Sequence, residues 1–351
     1  MLRGYLGARP NNPTKGVLTL AEHREWVARG TVIGVQHKGT GSSNGWDLRQ
    51  VSLLGDVSYG AKVREISLTP EYFDAHPAYQ FNDWTDAAGN VFCKIPIAYW
   101  WRGMLPDAED GTTPRWTMLM SPCQISGFAA SPGAFKRDGA WMKRFYYGKY
   151  RGHNAGDNKI GSKPGQIAWG NVSFNNCRTY CANNGEGYHL QSLFEWHEIL
   201  GRMVIEKTTF QLMPRSIRAN AALCKYRGIE DFCHSGTTYG EWMDGIRTGS
   251  GTYQMWDEAG GAYENSGNTT SQNYIQGINS SSNLKFLFIA SFTGSSAATC
   301  MIPDYCGGAS SDLVCIVSFI HSSASHGAFS SQFSNKATAT STSFGSRLAK
   351  W

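Results

Sequence analysis

The chain has 351 residues, a length for one large or two modest domains, and its 41% hydrophobic content is enough to bury a sizeable core. Only 17% of its residues are charged, against about 25% in an ordinary soluble domain, and 40 glycines and many aromatic residues take their place. The net charge of +5 gathers into no basic run or helix face, which argues against nucleic acid as a partner, and no apolar run is long enough for membrane insertion.

Met1-Leu2-Arg3-Gly4 does not open a signal peptide, so synthesis in a cytoplasm is expected. Residues 1–60 read as an accessory segment: a turn-rich opening, a helix capped by Thr19 with Glu22 three positions on, then Gly- and Ser-rich loops and short strands. From residue 61 the texture changes. Pro70 starts a helix. The apolar and aromatic run 91–101 reads as one strand, which Pro96 makes an edge strand or a bulged one. A short second strand covers 116–121.

The clearest helical signals lie at 173–205. Ser173 caps a helix through Asn183 that Asn184-Gly185 stops, and Ser192 with Glu195 forms a capping box. Behind it Trp196, Ile199, Leu200 and Met203 recur at helical spacing, so one buried face is expected. Beyond Gly228 the helical pattern ends. The polar stretch 264–283 reads as a long loop, followed by strands at 284–292 and 313–320 and a Ser/Thr/Ala-rich tail at 322–343. Helices early and strands late give an α+β domain.

Three stretches in order resemble formylglycine-generating-enzyme-like domains. The first holds Val172, Ser173, Tyr180 and then Tyr188-His189-Leu190-Gln191-Ser192 with Glu195-Trp196, where Gln191 replaces the family's Pro. Gly240-Glu241-Trp242-Met243-Asp244-Gly245 and the closing Phe344-Gly345-Ser346-Arg347-Leu348 are the others. The resemblance spans about residues 61–351 and implies a C-type lectin fold of that subtype, with 1–60 as a short N-terminal accessory segment. A narrower resemblance is to the variable proteins diversified by retroelements in phages and prophages, including tail receptor-binding proteins. Gly327, Phe329, Ala337, Gly345 and Arg347 fall at the spacing of that family's final segment, although Ile320-His321 stands where a Gly-Gly is usual. This implies a diversified region at about 307–346.

The nine cysteines form no CxxC pair, and Cys177 and Cys181, one turn apart, read as buried thiols rather than a metal pair. Cys300 and Cys306 lie where a formylglycine-generating oxidase keeps its reactive pair, but without the electropositive neighbours that lower a thiol pKa. Glu195, Trp196, Glu241 and Trp242 read as capping and core residues rather than as acids and a stacking platform. The calcium-binding motifs of sugar-binding lectins are missing; no cofactor is expected, and a structural calcium is left open.

The expectation is therefore a non-enzymatic protein that recognises a host-surface protein or glycan receptor. The ligand face would be built by His321, Ser322, Ser323, Ser325, His326, Ser330, Gln332, Ser334, Asn335, Thr338, Thr340, Thr342 and Ser343. The aromatic residues Trp100, Trp101 and Trp141 are the fallback. The narrower resemblance implies a virion tail location, contact with other tail proteins through 1–60, and a homo-oligomer, a trimer among the options, with avidity from several copies. A formylglycine-generating-type oxidase and a secreted bacterial lectin-like adhesion module are the alternatives.

Overall fold

The computed structural model describes residues 32–39, 47–57, 60–210, 212, 225–232, 240–249, 251–257, 262–269, 273–278, 286–288, 290–294, 302–307, 313–318, 328–329 and 331–351. The helix expected after Thr19 lies outside them. The architecture is α+β, dominated by three main sheets around one long helix, Leu193–Lys207. No helix among the described residues is long and apolar enough to cross a membrane.

The first sheet is antiparallel, in the order Lys62–Glu65, Leu48–Leu54, Ile33–His37, Pro114–Ser121, Tyr99–Pro106. It runs across the boundary expected at position 60. One face carries Ile33, Val35, Met118 and Met120 into the main core. The other closes over its own cluster of Val51, Leu53, Val63, Leu105 and Leu119. Alternation along each strand produces the two faces.

The second sheet runs Tyr188–Leu190, Leu348–Lys350, Arg144–Gly148, Val91–Pro96, Asn82–Thr85. The last residues of the chain are thus an interior strand, flanked on both sides. The single strand expected over 91–101 is two strands in two different sheets. The first strand ends at Pro96, Ile97 N–H still donates to Lys143 O at 2.9 Å, and Tyr99 starts the strand that joins the first sheet.

The third sheet, nine strands among the described residues, is assembled from the chain after Gly240. At its centre Gly240–Gly249 pairs with Leu313–Ser318, which pairs with Ser331–Lys336. Phe344–Gly345 adds to Gly240 and Glu241 in parallel. The long loop expected over 264–283 contains two strands, Ala262–Thr269 and Asn273–Ile278. Main-chain pairing holds both in ladders, so the polar composition that suggested a loop does not prevent strand formation. The strand expected over 284–292 begins only at Ala290. Phe286, Leu287 and Phe288 precede it as buried, irregular chain against the long helix, where Phe288 N–H donates to His197 Nδ1 at 3.1 Å.

The helix starts follow their caps. Pro70 occupies the first turn of Pro70–Ala75. Ser173 Oγ accepts from Asn176 N–H at the head of Phe174–Ala182. At the long helix Ser192 Oγ accepts from Glu195 N–H at 3.2 Å, and Glu195 Oε2 accepts from Ser192 N–H at 2.8 Å, closing the capping box.

That helix corrects the expectation of one buried face: every residue from Leu193 to Ile205 is buried. Its charged groups are enclosed because each meets a partner from elsewhere in the chain. Glu198 accepts from Trp100 Nε1 at 2.9 Å and pairs with Arg202 at 2.8 Å. Arg202 also donates to the carbonyls of Ala78 and Pro96. Buried ions paired this way avoid the large cost of an isolated charge.

Replacing Ser192 with Ala (Ser192→Ala) removes one half of the box and is expected to lower stability by about 0.5–2 kcal/mol. Urea unfolding followed by circular dichroism measures it, and an unmoved midpoint would contradict the cap's contribution.

Candidate functional site

The sequence motifs converge on one buried polar cluster beneath the C-terminal segment. Glu241, fully buried, accepts from Arg151 Nε at 2.8 Å, Gln191 Nε2 at 2.7 Å and Arg347 Nη2 at 3.3 Å. Arg347 completes its coordination with the carbonyls of Gly148, Glu230 and Asp231, each at 3.1 Å. Gln191 also accepts from the Tyr147 hydroxyl, and its backbone bonds to Arg347 O and Asp244 N. Burial pushes the Glu241 carboxyl up, but the guanidiniums of Arg347 and Arg151 outweigh it and hold the group below its ordinary value of 4.5.

Trp242 turns the other way and packs on Phe174 and Phe344, its Nε1 donating to Val172 O at 2.9 Å. Gly245, at φ +85, sits within the register shift between Met243 and Arg247. A residue with a side chain is strained in that conformation. Asp244 beside it pairs with Arg178 at 2.7 Å. Glu195, Trp196, Glu241 and Trp242 are all buried, in cap, core and ion-pair roles.

Above this cluster runs the expected ligand segment. His321, Ser322, Ser323, Ser325, His326 and Ser330 lie outside the described residues, as does Gly327. Gln332 and Ser334 belong to the strand Ser331–Lys336, of which Ser331 and Phe333 are buried. From Asn335 onward exposure alternates: Lys336, Thr338, Thr340 and Thr342 are exposed, whereas Asn335, Ala337, Ala339, Ser341 and Ser343 are half-buried. The chain is fastened here through its main chain. Ala337 O accepts from Asn175 N–H, Ser341 O from Asn171 N–H at 2.8 Å, and Ser343 O from Gly240 N–H. It approaches so closely that a Cβ on Gly170 would stand 2.6 Å from Thr342 O. Of the spaced positions in the narrower resemblance, Phe329, Gly345 and Arg347 are buried and Ala337 is half-buried. Phe329 packs on Phe210 and Phe288.

The fallback aromatic residues separate. Trp100 is buried in the core, Trp101 is half-buried in the same strand, and Trp141 is exposed on the hairpin Lys136–Arg137/Ala140–Trp141. That hairpin borders a cleft of about 530 Å³, shared with the strands Tyr188–Leu190 and Thr252–Asp257 and the helix Phe174–Ala182. The sequence reading missed the cleft, because its walls come from four distant parts of the chain.

Three buried thiols, Cys93, Cys177 and Cys181, are poor nucleophiles. Burial pushes Cys93 and Cys177 up to about 12, and Cys181 is raised as well. Cys123 is exposed. Cys300 lies outside the described residues, and Cys306 is placed only as part of the strand Ile302–Gly307. Among the described residues no three His, Cys, Asp or Glu side chains converge as a metal site.

Glu241→Gln should cost about 3–5 kcal/mol by leaving two buried guanidiniums without their counter-charge. It should also flatten the acid limb of the stability curve. The folded-state value lies below the unfolded one, so ionised Glu241 stabilises the fold above about pH 4.5, and that contribution is lost as the pH falls through the folded value. Urea unfolding of wild type and variant from pH 3 to 7 measures both effects, and an unchanged acid slope would contradict the pairing. In native protein, iodoacetamide should modify Cys123 long before Cys93, Cys177 or Cys181. Peptide mass mapping reads this, and equal rates would contradict the burial of the three thiols.

Compared with known proteins, the chain matches no family model and no curated sequence.

Proposed function

We propose that the chain is a non-enzymatic receptor-binding protein of the phage-tail kind, built on the formylglycine-generating-enzyme-like C-type lectin fold, with the C-terminal segment as its ligand face. The observation that carries this reading is the alternation over 335–343. Main-chain hydrogen bonds fasten the segment while Lys336, Thr338, Thr340 and Thr342 face solvent. A backbone held by its own carbonyls tolerates changes in outward side chains, which is what a recognition surface that varies requires. The resembling motif positions serve as anchors: Phe329 in the core, Arg347 in the ion cluster.

The neighbourhood also supports binding rather than turnover. Glu241 and Glu195 are saturated by structural partners, and burial holds the thiols of Cys93, Cys177 and Cys181 protonated. In this reading the partner is a host-surface protein or glycan, residues 1–60 engage other tail proteins, and several copies act together so that weak single contacts add up to avidity. Binding depends little on salt, because Lys336 is the one charge in 335–343.

A different set of side chains grafted at His321, Ser323, His326, Gln332, Asn335, Thr338, Thr340 and Thr342 should change the partner bound. The fold should keep its stability to within about 0.5 kcal/mol per exposed position. Host-cell binding measured beside the melting curve tests this. Unchanged binding by a grafted protein would remove the site from the segment.

A further inference from the structure

The cleft beside the 136–141 hairpin holds groups that the fold does not consume. Asp138-Gly139 forms its turn with both φ values positive, +48 and +79, the arrangement of a tight two-residue hairpin. Lys136 and Trp141 are directly paired across it and therefore share one face. Lys136 lines the cleft. Its ammonium has no ion-pair partner among the described residues, and the Trp141 indole, 52% exposed, takes part in no ring or cation contact there. Across the cleft, Arg178 is held in place by Asp244 on its Nε at 2.7 Å and by the Trp256 ring at 4.4 Å. Both of its Nη groups make no hydrogen bond with a described residue, and the side chain is 33% exposed.

We infer that this cleft is a second binding site, for a carboxylate-bearing pyranose such as a uronic or nonulosonic acid at the end of a surface glycan. Lys136 and Arg178 line the same cleft, and guanidinium offers a carboxylate a planar pair of donors. Trp141, outside the cleft wall but on the Lys136 face of the hairpin, offers an exposed ring against which a sugar held by Lys136 can rest. Asp138 and Asp244 also line the cleft; they accept hydroxyl hydrogen bonds but repel a doubly charged phosphate, which favours a polyhydroxylated monoanion. The site is separate from the 335–343 face, so its failure would leave the proposed function standing.

The full chain is titrated with glucuronate, N-acetylneuraminate, the methyl ester of glucuronate and inorganic phosphate, with calorimetry and tryptophan fluorescence as readouts. Both acids should bind, with the ester weaker by about tenfold or more, the loss expected for one charged hydrogen bond. Lys136→Ala and Trp141→Ala should each weaken acid binding by about tenfold at an unchanged melting temperature. Replacing Thr340 should leave it intact. No binding of either acid, equal binding of the ester, phosphate binding as tightly, or indifference to both variants would each overturn the inference.

Discussion

Glu241 lies without solvent contact between the guanidiniums of Arg151 and Arg347 and the amide of Gln191. Those three partners come from a loop after the second sheet's Arg144–Gly148 strand, from the chain's last residues, and from the turn that opens the long helix. A buried carboxylate is tolerable only when paired, and a buried guanidinium likewise. The cluster therefore forms completely or is costly, and forming it fixes three distant segments against one another. Arg347 extends the constraint by clamping the carbonyls of Gly148, Glu230 and Asp231.

The consequences reach the surface through the backbone. With Arg347 seated, Leu348–Lys350 enters the second sheet as an interior strand, and Phe344–Gly345 pairs with Gly240 and Glu241. The segment just before it is then held at both ends, with main-chain bonds to Asn171, Asn175 and Gly240 between. The bonds to Asn171, Asn175 and Gly240 use main-chain atoms, helped by Ala337 packed on the core and Ser341 Oγ accepting from Ser343 N–H, while Lys336, Thr338, Thr340 and Thr342 face solvent. The same division recurs at the 136–141 hairpin. There Arg137 lies buried, bonded to Gly133 O and over the Trp351 ring, while Lys136 and Trp141 stay outward.

Much of the frame could be read from local chemistry. Ser173, Ser192 with Glu195, Pro70 and the stop at Asn184-Gly185 act within a few residues, so their effect is written where they stand. Other features depend on distant partners and could not be read that way. Glu198 and Arg202 look like surface charges until Trp100, Ala78 and Pro96 close over them. The strands at 262–269 and 273–278 lack apolar alternation and owe their form to main-chain ladders. Pro96 signalled a disturbance, but its outcome, a change of sheet, depends on where Tyr99 finds its partners. The apolar residues framing 321–343 suggest an ordered, exposed segment; of its described part, Thr338, Thr340 and Thr342 are exposed and Ala339 and Ser341 half-buried. The cleft was not legible in the sequence, because Lys136, Arg178 and Trp256 meet only in three dimensions.

Under the proposed function, anchoring and recognition are carried by different atoms of the same segment. Saturation mutagenesis of 335–351 with folding and host-surface binding read separately tests it most directly. Folding should fail on substitution of Arg347, whose guanidinium is buried in the ion cluster, yet tolerate most residues at Thr338, Thr340 and Thr342, where binding alone responds. Folding that depends on those three threonines, or binding indifferent to them, would contradict it.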